Sequence, residues 1–166
     1  IYILMFIPVN ALSTTANSLV SNAIGAGGVQ YVMNLIKKIA RLDLLIMLGL
    51  AGLIALFPKL ILSVYTQDAS LISDAVPSVY VICVAMLIAS VSNVVFNGIS
   101  GTGNTRAALI LESATLVFYV AYIITVGTIF HAPVEICFTT ELVYYSLLLV
   151  TSYVYLKKAK WQNKKI

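Results

Sequence analysis

Apolar residues run through this chain in long blocks, and the lengths of the blocks decide which elements form. No charged residue occurs from Ile1 to Ile36, 31 uncharged residues separate Asp74 from Arg106, and 22 separate Glu112 from Glu135. Between Glu135 and Lys157 the one charge is Glu141. About 20 apolar residues of helix cross a hydrocarbon core. The pattern therefore predicts five spanning helices, at about 2–24, 39–62, 76–99, 107–129 and 136–156, in one transmembrane bundle over 1–156 with a basic cytoplasmic tail over 157–166. The second span is the shortest: 15 uncharged residues separate Asp43 from Lys59, so Arg41 and Lys59 must snorkel to opposite interfaces. An interfacial helix is the competing reading there, and an apolar surface on all sides argues against it.

Composition agrees with the pattern. At 61% hydrophobic, 10% charged and a mean hydropathy of +1.01, a soluble domain of this size would lack the polar surface it needs. The expected fold is an all-α polytopic transmembrane helical bundle. Following the chain through five spans, Lys37, Lys38, Arg41, Arg106, Lys157, Lys158, Lys160, Lys164 and Lys165 gather on one side, and Lys59 lies alone on the other. Lys and Arg in short loops bias a side toward the cytoplasm. The basic side, with the C-terminus, is thus expected to be cytoplasmic in the plasma (inner) membrane, with Asp68, Asp74, His131 and Glu135 outside. The net charge of +4 then carries no expectation of nucleic acid; the tail with Trp161 reads as an interface anchor. Five spans and a first residue other than Met predict a chain that begins inside a larger protein, and 1–24 lacks the pattern of a cleavable signal. Cys83 and Cys137 read as small apolar packing residues.

Chemistry is sought among the polar residues that a bilayer makes expensive. At 100° per residue, Asn10, Ser13, Thr14, Asn17 and Ser21 fall within an arc of about 100° on the first helix. Ser78, Ser90, Asn93, Asn97 and Ser100 do nearly the same on the third. The fourth aligns Glu112, Thr115, Tyr119 and Tyr122, and the fifth Glu141, Tyr144, Tyr145, Ser152 and Tyr155. The second helix has no such stripe and is expected at the periphery. Stripes of this kind serve either as interhelical glue, at about 0.6 kcal/mol per bond, or as the lining of a hydrated cavity. Tyrosines and carboxyls in the stripes suit a cavity for organic cations, which dock on aromatic faces.

Glu112 and Glu141 stand out, because an acidic residue inside a span costs roughly 3 kcal/mol and is a functional candidate by default. Such a carboxyl can exchange a proton or a sodium ion for a cationic substrate, the chemistry of ion-coupled transport. The plainer reading places each near an interface or beside a buried partner. No metal-ligand cluster and no nucleophile with a base at motif spacing is present, so neither an enzyme nor a cofactor is expected.

Two turns complete the inventory: Ile24-Gly25-Ala26-Gly27-Gly28 after the first span, and Ser100-Gly101-Thr102-Gly103-Asn104-Thr105-Arg106 after the third. As phosphate cradles they are weak, lacking a following Lys-Ser or Lys-Thr. In register with this topology, the pair resembles the inner loops of the MATE family, the multidrug and toxic compound extrusion transporters. The similarity extends to Ser152–Leu156. It implies the C-terminal six-helix lobe of such a transporter without its first helix, Gly25, Gly27, Gly101, Gly103 and Arg106 serving as structural loop residues. It further implies antiport of cationic drugs or toxic organic compounds against H+ or Na+, with the missing N-terminal lobe as partner and the lipid bilayer around both. Some members carry an ion-binding carboxylate in the helix matching 76–99, and this chain has none there. The candidates for ion coupling or substrate binding are Glu112, Glu141, Asn17, Asn93, Asn97, Tyr119, Tyr122, Tyr144 and Tyr145. A flippase of lipid-linked sugars or a non-transporting membrane subunit are the alternatives.

Overall fold

The structure, a computed structural model, describes residues 1–130 and 132–158. It is 88% helical without strands among them. The elements are α1 (Tyr2–Gly25), α2 (Val32–Leu56), α3 (Pro58–Leu62), α4 (Ala69–Gly101), α5 (Thr105–Ile123), α6 (Val134–Cys137) and α7 (Thr139–Lys158), with a 3₁₀ turn at Val29–Tyr31 and a π segment at Ile124–Ile129. Five helical stretches are long and apolar enough to cross a membrane: α1, Val29–Leu56, α4, Thr105–Thr128 and Val134–Lys158.

Local chemistry sets the ends of these helices. Gly27 takes φ +78°, and its N–H donates to the Ile24 carbonyl while that of Gly28 donates to Ala23. This is a Schellman motif, in which a left-handed glycine turns the chain and satisfies the last carbonyls. Gly103, at φ +76°, closes α4 in a related way through its bond to Ser100. Pro58, which has no N–H to donate, separates α2 from the short α3. Asp68 caps α4: its carboxylate accepts from the Ser70 N–H at 2.9 Å, the Ser70 hydroxyl at 2.7 Å and the Leu71 N–H at 3.4 Å. Those bonds hold its pKa below the usual carboxylate value, the Ser70 hydroxyl contributing most.

Helices α1, α4 and α7 run one way, α2 and α5 the other. At the basic end the Ser21 hydroxyl donates to the Gly101 carbonyl at 3.0 Å, and the Asn104 amide donates to the Tyr155 hydroxyl. At the opposite end Tyr2 meets Glu141 and Tyr145. The hub is α4, which packs against α1, α2, α5 and α7. Small residues let it approach its neighbours: a Cβ on Gly98 would lie 2.6 Å from Ile36 Cδ1 of α2, and one on Gly101 would lie 2.6 Å from the Asn17 carbonyl of α1.

Two hydrophobic clusters fill the bundle. The one toward the basic end includes Ala16, Val20, Ile36, Ile39, Val94 and Ile99. The other includes Met5, Val9, Met47, Ala51, Ile82 and Met86. Large apolar side chains such as Ile3, Ile7, Leu45, Leu53, Leu109 and Val117 point outward, where lipid is their natural solvent.

The second helix departs from expectation. It runs over Val32–Leu56, where the spacing of charges pointed to 39–62. Lys37, Lys38 and Arg41 lie on its exposed face and interrupt nothing, while Asp43 faces inward and is 0% exposed. Its surface is therefore not apolar on all sides. Nor is it peripheral, since it packs on α1 and α4. The outlying span is α5, which buries only Ala108 and Thr115. The fourth and fifth spans are interrupted by the π segment after Ile123 and by Phe138 between α6 and α7. His131, Lys160, Trp161, Lys164 and Lys165 lie outside the described residues.

Candidate functional site

Glu141 stands in the first turn of α7, where the exposed N–H groups of a helix start favour negative charge. It is half-buried. The Tyr2 hydroxyl donates to its Oε2 at 3.2 Å and the Tyr119 hydroxyl to its Oε1 at 3.5 Å. Tyr2 and Tyr145 share a further hydroxyl contact of 3.0 Å. The carboxylate is thus held by phenols from α1 and α5 and forms no ion pair among the described residues.

The rings make a continuous path past this carboxylate. Tyr119 meets Tyr144 edge-on with centroids 5.6 Å apart, and Tyr144 meets Tyr145 edge-on at 5.0 Å. Tyr145 continues to Phe6 at 6.4 Å, and Phe6 stacks on Tyr2 at 5.7 Å. An open cavity of about 260 Å³ is lined by Leu116, Tyr119, Glu141 and Tyr144. A negative group among aromatic faces attracts organic cations, by charge and by the ring quadrupoles together.

The sequence candidates divide on this geometry. Glu141, Tyr119, Tyr144 and Tyr145 come together, and Glu112, half-buried on α5, lies within electrostatic reach of Tyr144. Tyr122 is bonded elsewhere: its hydroxyl pairs with that of Thr139 at 3.0 Å, tying α5 to the start of α7. Asn93 and Asn97 donate their amides to the Ala89 and Asn93 carbonyls of their own helix, each at 3.0 Å. Asn17 sits at the tight crossing of α1 and Gly101. Gly25 closes the last turn of α1 with open space around it, and Arg106 is exposed in the first turn of α5. Sequence reasoning missed Tyr2. Its link to residue 141 has no local signal.

Among the described residues, the polar stripe of α1 bonds mostly within its own helix. Thr14 donates to the Asn10 carbonyl, Thr15 to Ala11 and Ser18 to Thr14, all within the helix. Asn10, Thr14, Thr15 and Ser18 are exposed and line an open groove. Of the stripe's hydroxyls only Ser21 reaches another helix. Glue would require bonds between helices, and among the described residues this face makes only that one.

Against this architecture, a family model, MatE, matches residues 1–137. The chain belongs to the MatE family. It is therefore a membrane transporter of the MATE superfamily and an integral membrane protein. No curated protein and no solved structure matches it. The MatE match takes in α1 through α6 and ends at Cys137. Glu141, Tyr144 and Tyr145 lie beyond it, on α7.

Proposed function

We propose that this MatE chain is the C-terminal lobe part of an ion-coupled antiporter that exports cationic drugs or toxic organic compounds across the plasma membrane. The observation that carries this reading is Glu141, bonded by two phenols, flanked by edge-on tyrosine rings and without a counter-charge among the described residues. An amphipathic cation docks on the faces of Tyr119 and Tyr144 with its charge toward Glu141. Binding of H+ or Na+ at the same carboxylate removes that charge, so coupling ion and substrate exclude each other. The exposed polar face of α1 would meet the N-terminal lobe across a hydrated cavity, as rocking of two bundles about a central site requires. The basic end of the bundle is the cytoplasmic one.

A flippase of lipid-linked sugars calls for cationic side chains against phosphates. The cavity at Glu141 is lined by an acid, two tyrosines and a leucine, which favours a cation.

The test is accumulation of a fluorescent organic cation in cells expressing the native gene product. Glu141→Gln should abolish efflux or remove its pH or sodium dependence, and Tyr144→Ala should weaken substrate binding. Efflux by Glu141→Gln with unchanged rate and ion dependence would move the non-transporting subunit ahead.

A further inference from the structure

Among the described residues, Asp43 is the one acidic or basic side chain that the fold buries completely. It is 0% exposed near the middle of α2, and neither carboxyl oxygen has a hydrogen-bond partner. Its surroundings explain the isolation. On α2 it stands between Ala40, in the cluster toward the basic end, and Met47, in the other. The helices packed against α2 also change cluster across buried hydroxyls: α1 at Ser13, and α4 at Ser90 and Ser92. Ser13 and Ser90 direct their hydroxyl hydrogens to the Asn10 and Leu87 carbonyls of their own helices. Ser92 Oγ, like Asp43, has no partner.

Among the described residues no counter-charge stands ready. Helix α1 has no charged residue, and α4 has only Asp74, exposed near its far end. Lys37, Lys38 and Arg41 of α2 are on its exposed face, and Lys59 of α3 is exposed as well. On α7, Glu141 is in the first turn and Lys157 and Lys158 in the last. A carboxylate anion without water, donor or counter-ion is the least favourable state a side chain can take. Something positive must compensate it. The groove beside it is lined by Ala40, Arg41 and Leu44 and does not reach Asp43. A metal cation needs space and several ligands, and a proton needs neither.

We propose that Asp43 is a proton-binding site of this chain, separate from Glu141, occupied while α1, α2 and α4 are packed and emptied when they part. The inference goes beyond the export reading and stands on a different part of the bundle. Loading and unloading then require water to reach mid-α2, which ties proton exchange to separation of that helix from its neighbours.

Infrared spectroscopy of the native gene product in lipid, titrated from acidic to alkaline pH, reads the proton directly through the carbonyl stretch of a neutral carboxylic acid. At neutral pH one such band should vanish in Asp43→Asn and survive in Glu141→Gln. Asp43→Glu should shift the band, which keeps the test open if the Asn variant does not fold. A band spectrum unchanged by both Asp43 variants would overturn the proposal. So would loss of the Asp43 band on adding sodium at fixed pH, since the ligand would then be a metal cation. The readout is protonation and not efflux, so this assignment can fail while the export reading stands, and the reverse.

Discussion

Gly101 lies where α4 touches α1 most closely, and replacing it with alanine puts a number on that contact. The added methyl would sit 2.6 Å from the Asn17 carbonyl oxygen, 2.9 Å from Val20 Cβ and 3.1 Å from Val20 Cγ1. Two of these three atoms cannot rotate away, because they are a backbone oxygen and a Cβ. The helices must separate by several tenths of an ångström, and the Ser21 hydroxyl then loses its 3.0 Å bond to the Gly101 carbonyl. Overpacking of this kind costs about 1–3 kcal/mol, and the rigid obstacle places Gly101→Ala at the upper end, near ~3 kcal/mol. Alanine offsets part of this through a helix propensity better by up to about 1 kcal/mol. The net, about 2 kcal/mol, corresponds to a melting temperature lower by roughly 4–8 °C for a domain of this size. Gly52→Ala is the control: it lies inside α2 with nothing within 4 Å, so only the propensity gain remains. Thermal unfolding in detergent can be followed by a thiol-reactive dye, since Cys83 is buried. If Gly101→Ala melted at or above the temperature of Gly52→Ala, the close crossing of α1 and α4 would not exist.

Other outcomes follow from the same reasoning. Tyr2→Phe removes the hydroxyl that meets both Glu141 and Tyr145, and should lower stability by about 1–2 kcal/mol while raising the substrate concentration needed for half-maximal efflux. Gly27→Ala forces a Cβ into the left-handed region and should cost about 1–2 kcal/mol, whereas Gly25→Ala, two residues earlier with open space around it, should cost nothing measurable in the same melt. Asp68 has a folded pKa below its unfolded value, so its capping contribution is present above the unfolded value and is lost as pH falls through the folded one. The stability difference between the native protein and Asp68→Ala should therefore shrink in acid, and Asp68→Asn, an uncharged cap, should not show that pH dependence.

The five spans were legible because hydrocarbon thickness translates directly into a count of apolar residues, and the glycine turns because left-handed backbone favours glycine. Depth along a span was harder to read. Asp43 bounds the uncharged run of the second span in sequence, yet it is buried on the opposite helix face from Lys37, Lys38 and Arg41. Periodicity gives the angle around one helix but not what its neighbours bring to that angle. The same limit applies to the site. Glu141, Tyr144 and Tyr145 share a helix and could be grouped from spacing alone, whereas Tyr2 joins them across 139 positions of sequence. Tyr122 and Asn97 lie on the expected stripes, but their hydrogen bonds go to Thr139 and to their own helix.

That long link from Tyr2 to Glu141 and Tyr145 bears on assembly. Membrane helices enter the bilayer in the order of synthesis, so α1 must wait for α7 before its Tyr2 end gains these partners. Until then Tyr2 and Phe6 stack on α1 without the carboxylate and the phenol that Tyr2 meets on α7. The feature proposed to hold the cation thus takes shape only when α7 arrives, and a chain stopped short of α7 would lack it.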